Sequence, residues 1–143
     1  MTPEQARLIT TSWSSVASIA DSAIEQFYNR LFEIDPSARA LFRATDMPEQ
    51  RRKVIEALSL ALQSLDDLEA LASTLEDLGR WHQRYGVAAA HYDSVGQALL
   101  WTLEQGLGAA WTPATAAAWT ELFGQLSSVM KRAAYDGPQN RAA

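Results

Sequence analysis

Three polar side chains stand where periodicity calls for apolar ones. In "LGRWHQRYGV", residues 78–87, His82 takes the next position on a stripe formed by Leu68, Leu71, Leu75 and Leu78, whose alternating three- and four-residue spacing marks one helix face. Tyr28 lies between Ile24 and Leu31 on a second stripe, and Gln50 precedes Val54, Leu58 and Leu62 on a third. An imidazole offers a lone pair to a proton or a metal, whereas a phenol and an amide offer neutral hydrogen-bond donors. Burying any of them unpaired costs on the order of 1–3 kcal/mol. One shared partner would satisfy all three.

Each residue also has an ordinary structural use. A histidine on a helix face is commonly satisfied by a backbone carbonyl, a tyrosine buries its ring and wets its hydroxyl, and Gln50 follows Pro48 closely enough to be exposed or to help cap a first turn. Ligand spacing for a dedicated zinc or di-iron centre is missing: the only other histidine is His91, beyond Gly86, and no His-x-x-x-His or Glu-x-x-His pair occurs. A single protein ligand suffices when the metal arrives in a macrocycle, as haem iron does.

The elements that must position these residues are helices. Thr2-Pro3-Glu4-Gln5, Asp35-Pro36 and Thr112-Pro113 combine a capping side chain with proline at the first helical position. Asp46 with Glu49, and Asp66 with Glu69, have capping-box spacing. Gly86, Gly106 with Gly108, and Gly137-Pro138 read as stops. Val95, Leu99 and Leu103 form a further apolar stripe, as do Trp119, Leu122, Leu126 and Val129. No long alternation with period two argues for a strand. The sequence predicts an all-α domain of about six or seven helices, with residues 136–143 as a frayed tail.

Composition narrows the function classes. The 143 residues suit one domain, and 12 basic against 17 acidic residues give a formal net charge of −5 without a basic stripe, which argues against a nucleic-acid partner. There is no cysteine, so disulfides and thiolate metal sites are excluded. "MTPEQARLITTSW" has no signal-peptide pattern and no run reads as a membrane span, so a cytoplasmic location is expected.

The ordered motifs "SW" at 12–13, "FYNRLFEIDPSARALF" at 27–42, "RKV" at 52–54, "LGRWH" at 78–82, "GV" at 86–87, "VGQALL" at 95–100 and "WTPAT" at 111–115 resemble the globins, and among them the single-domain bacterial globins related to neuroglobin. The resemblance implies one globin domain over 1–143, with about six to eight helices around a pocket for haem b. By position, His82 matches the ligand of the haem iron and Phe42 the phenylalanine against the haem. Tyr28 and Gln50 match the ligand-side positions, Val54 the apolar residue over the iron and Lys53 a residue able to reach a propionate. Val87 and Tyr92 match the pocket wall.

The implied activity is reversible binding of dioxygen, with nitric oxide and carbon monoxide as other ligands. Tyr28 and Gln50 both act as donors to the oxygen, and Gln50, a poor iron ligand, implies an open or water-bound sixth position. This distal pair is similar to that of flavohaemoglobins, which implies nitric oxide detoxification or nitrite reduction with a separate reductase, as no Gly-x-Gly-x-x-Gly motif is present. That family's proximal tyrosine matches Tyr92, but its glutamate position falls on Ala134, which implies a weaker electron push from His82. The rival readings are a haem-based gas or redox sensor and a haem-free globin-like interaction module.

Overall fold

The computed structural model describes residues 1–135. The frayed tail expected at 136–143 and the stop expected at Gly137-Pro138 lie outside the described residues. Seven α-helices follow one another: α1 (Pro3–Val16), α2 (Ala20–Ile34), α3 (Pro36–Arg39), α4 (Met47–Gln63), α5 (Ala72–Arg84), α6 (His91–Leu107) and α7 (Pro113–Tyr135). Short 3₁₀ turns connect several of them, and no strand occurs among the described residues. No helix there is long and apolar enough to cross a membrane.

Local chemistry sets most helix starts. Thr2 and Gln5 form a reciprocal capping box at α1. Asp35 accepts the Ser37 amide at α3, Asp46 accepts the Glu49 amide at α4, and Thr112 accepts the Thr115 amide at α7.

Two predicted signals fail. Leu68–Leu71 winds as a 3₁₀ segment without a side-chain cap, so Asp66 and Glu69 make no capping box and α5 begins only at Ala72. The three-residue repeat of that segment keeps Leu68 and Leu71 on one side, where both join the cluster containing Leu75 and Ala61. Gly106 stays helical within α6, and the chain turns at Gly108, where φ is +54°.

Helix α7 is the scaffold against which α1, α5 and α6 pack, while α2 packs on α6 and α4. Trp119 of α7 is fully buried with Ile9 and Leu122, and its indole N–H donates to Ser12 Oγ at 2.9 Å. Ser12 in turn donates to the Leu8 carbonyl at 2.7 Å, so this buried polar pair is satisfied. The α5–α7 crossing depends on Gly79. A Cβ there would lie 2.3 Å from the Met130 carbonyl oxygen and 2.7 Å from its Cα, so only glycine admits this approach.

Candidate functional site

His82 lies in the last turn of α5. Its Nδ1 donates to the Leu78 carbonyl one turn back, at 2.7 Å, which leaves the lone pair on Nε2. The helix then closes in a Schellman pattern: the Val87 amide donates to the His82 carbonyl at 3.1 Å and the Gly86 amide to the Gln83 carbonyl at 3.0 Å. This geometry needs Gly86, whose φ is +96°, and it folds Val87 back toward His82. The Tyr135 hydroxyl donates to the Val87 carbonyl and fastens the same turn to the end of α7.

The Tyr92 ring, on α6, stands 6.5 Å from the His82 ring. Its buried hydroxyl makes no hydrogen bond among the described residues, and burial, with Tyr135 close by, pushes its pKa up to about 12. Ala134 is buried, so no carboxylate stands where the resemblance located one, and His82 Nδ1 pairs with backbone instead. The adjacent Trp81 faces outward, 51% exposed, edge-on to the exposed Tyr85 ring.

A second group is built by α2, the turn after α3, and α4. Tyr28 is buried, and Gln50 Nε2 donates to its hydroxyl oxygen at 3.1 Å. The phenol therefore retains its own hydrogen as a donor. Burial raises the Tyr28 pKa, with Gln50 opposing the shift, so the hydroxyl stays protonated at neutral pH. Phe42 meets the Tyr28 ring edge-on at 5.2 Å, and Val54 packs against the same cluster. Lys53 lies exposed on α4.

Helix α6 joins the two groups. Tyr92 stands beside His82, while Val95 and Leu99, three and seven residues on and on the same face, pack against the Tyr28 cluster. Tyr28, Gln50, Phe42 and Val54 thus form one contact group, His82, Val87 and Tyr92 another, and exposed Lys53 belongs to neither.

Arg51 escaped the sequence reading. Its guanidinium bonds Asp21 at 3.0 Å and approaches Glu25 at 3.9 Å, clamping the start of α4 to α2 beside the Gln50–Tyr28 bond. The available signal was the placement of Asp21, Glu25 and Tyr28 at helical spacing on one face of α2.

No cluster of three or more His, Cys, Asp or Glu able to hold a metal ion exists among the described residues. One histidine with a free Nε2, facing a helix that leads to a separate donor pair, instead suits a metal carried in a macrocycle. An all-helical fold with this arrangement is that of a haem protein of globin type. The chain belongs to the globin family, which it matches over residues 25–130. It is 33% identical over 133 residues to the anaerobic nitrite reductase NSHB5 of Oryza sativa subsp. indica, covering 89% of this chain and 91% of that protein. The japonica protein of the same description is 32% identical over the same shares. Globins bind haem and diatomic gases.

Proposed function

We propose that this chain binds haem b through Nε2 of His82 and reversibly takes up dioxygen and other diatomic gases, held by Tyr28 and Gln50. Phe42, Val54, Val87 and Tyr92 line the haem pocket, and Lys53 serves a propionate at its edge. Haem, when bound, supplies an iron that takes up a gas and exchanges one electron.

The carrying observation is the Gln50–Tyr28 hydrogen bond. The amide donates to the phenol, so the phenol donates onward to a polarised ligand, and the second N–H of Gln50 is available to the same ligand. His82 is held in one tautomer by the Leu78 carbonyl, which presents Nε2 without competition for its lone pair. The neutral amide of Gln50 leaves the gas position open.

The relatives' description favours a second use of the same site, the reduction of nitrite to nitric oxide. That reaction consumes one electron and two protons and releases water, so an external reductant must supply the electron. Tyr28 and Gln50 can hold the anion by the same donors. Nitric oxide dioxygenation, in which nitric oxide, dioxygen and one electron yield nitrate, needs the same partner.

The optical spectrum of the purified protein tests the reading. One broad visible band in the reduced, oxygen-free form, changing to a stable two-band form in oxygen, is expected, and His82→Ala should lose or weaken haem binding. Two sharp bands already present without oxygen would mean an internal sixth ligand. No haem band after haem addition would overturn the reading in favour of the interaction module. Anaerobic mixing of the reduced protein with nitrite, followed with a nitric oxide electrode, tests the second use.

A further inference from the structure

His91, at the start of α6, is the hub of a network that the proposed gas site does not use. The Ala88 amide donates to His91 Nδ1 at 2.8 Å, and a ring nitrogen that accepts an amide proton carries none of its own. In this arrangement the imidazole is neutral with its hydrogen on Nε2, which donates to Ser37 Oγ at 3.1 Å. Ser37 donates to Asp35 Oδ1 at 2.5 Å, and Ser94 donates to Asp35 Oδ2 at 3.0 Å. The donors run the wrong way for a serine nucleophile, because Ser37 gives its proton to the carboxylate and not to the imidazole.

The Ser37 hydroxyl, and after it the Ser94 hydroxyl and the nearby His91, hold the Asp35 carboxyl below its ordinary range, so it stays ionised. Asp35 Oδ2 is 3.9 Å from His91 Nε2 and is the only ion-pair partner of His91 among the described residues. A second proton on the ring must enter at Nδ1, the atom that the Ala88 amide occupies. Two N–H groups cannot share that position, so protonation expels Ala88 while Asp35 compensates the new charge.

We infer that His91 is a proton-responsive positioning residue: neutral, it fastens the turn that follows His82, and protonated, it releases that turn. The turn is fastened by the Gly86 amide to the Gln83 carbonyl, the Val87 amide to the His82 carbonyl, the Tyr135 hydroxyl to the Val87 carbonyl, the His91 amide to the Ala88 carbonyl, and the Ala88 amide to the His91 ring. Only the bond from the Ala88 amide to the ring responds to the proton, and its loss frees the Ala88 amide and loosens the adjoining Val87 and the last turn of α5. This last link alone rests on the reading of His82 as the haem ligand.

The test uses the full haem-loaded chain, reduced and carbon monoxide-bound, followed as the pH is lowered from the alkaline side until the His91 ring takes up its second proton. Nitrogen NMR of His91 should show the Nε2–H tautomer at the alkaline end. Ala88 amide protection, corrected for intrinsic exchange, should fall roughly tenfold as the ring is protonated. His91→Gln, whose carbonyl can accept the same amide but does not titrate, should keep Ala88 protected throughout, and carbon monoxide dissociation should follow the step in the parent protein only. A proton on Nδ1 at the alkaline end, or Ala88 protection that ignores the ring, overturns the inference. Carbon monoxide kinetics without the step overturn the positioning role while leaving the gas-site reading intact, whereas full haem binding by His82→Ala overturns that reading and not the His91 latch.

Discussion

Gln50 Nε2 lies 3.1 Å from the Tyr28 hydroxyl oxygen, so the two polar residues of the proposed gas site are linked in series: the amide donates to the phenol, and the phenol's own hydrogen is left to donate onward. The resemblance implied two donors acting on one ligand. In the fold one donor hydrogen of Gln50 is spent on Tyr28, which makes the two residues unequal.

Tyr28→Phe should therefore have the largest effect on oxygen release. Losing a charge-assisted hydrogen bond of about 1.5–3 kcal/mol corresponds to roughly 10- to 100-fold faster dissociation of oxygen, with a much smaller change for the less polarised carbon monoxide. Gln50→Leu should speed oxygen release less than Tyr28→Phe, because the phenol remains. Stopped-flow dissociation of both gases from the three proteins checks the order.

Arg51→Met should move oxygen release toward the Gln50 variant without touching the ligand. Asp21 and Glu25 are exposed partners, so added salt should weaken the clamp in the parent protein and speed its oxygen release slightly. The variant should show no such salt response. An unchanged release rate in Arg51→Met would mean that core packing alone holds α4 in register.

Gly79→Ala should be strongly destabilising, by about 3 kcal/mol or more, because the new methyl meets the Met130 backbone and neither helix can yield locally. Chemical denaturation of the haem-loaded protein measures it. A cost near that of an exposed helix substitution would show that α5 and α7 can separate freely.

Tyr92→Phe removes a buried hydroxyl that makes no hydrogen bond among the described residues, and it should raise stability by up to about 1 kcal/mol near neutral pH. Burial holds the pKa values of Tyr28, Tyr92 and Tyr135 above the ordinary value of 10.0, that of Tyr92 at about 12. The unfolded chain releases these protons first, so it binds fewer protons than the native state above pH 10.0. Stability present below that pH is lost as pH rises through about 12. Denaturation at alkaline pH should show this decline, and it should be shallower in Tyr92→Phe.

The sequence by itself determined the helical class, the caps at Thr2, Asp35, Asp46 and Thr112, the turn at Gly86 and the place of His82 at the end of a leucine stripe. These are local matters, since capping bonds span two or three residues and a helix face repeats every three or four. Local pattern failed where distant packing competed with it: Leu68 and Leu71 joined Leu75 by winding as a 3₁₀ segment, and Gly106 stayed within α6.

Only the tertiary structure decided that Gln50 donates to Tyr28, that Arg51 clamps α4 to Asp21, that Tyr135 holds Val87, and that His91 reaches Ser37 and Asp35. Each of these pairs joins residues far apart in the chain. Their meeting depends on how whole helices cross, and that is set by the summed packing of many side chains, including the single close approach permitted by Gly79, which no short window of sequence contains.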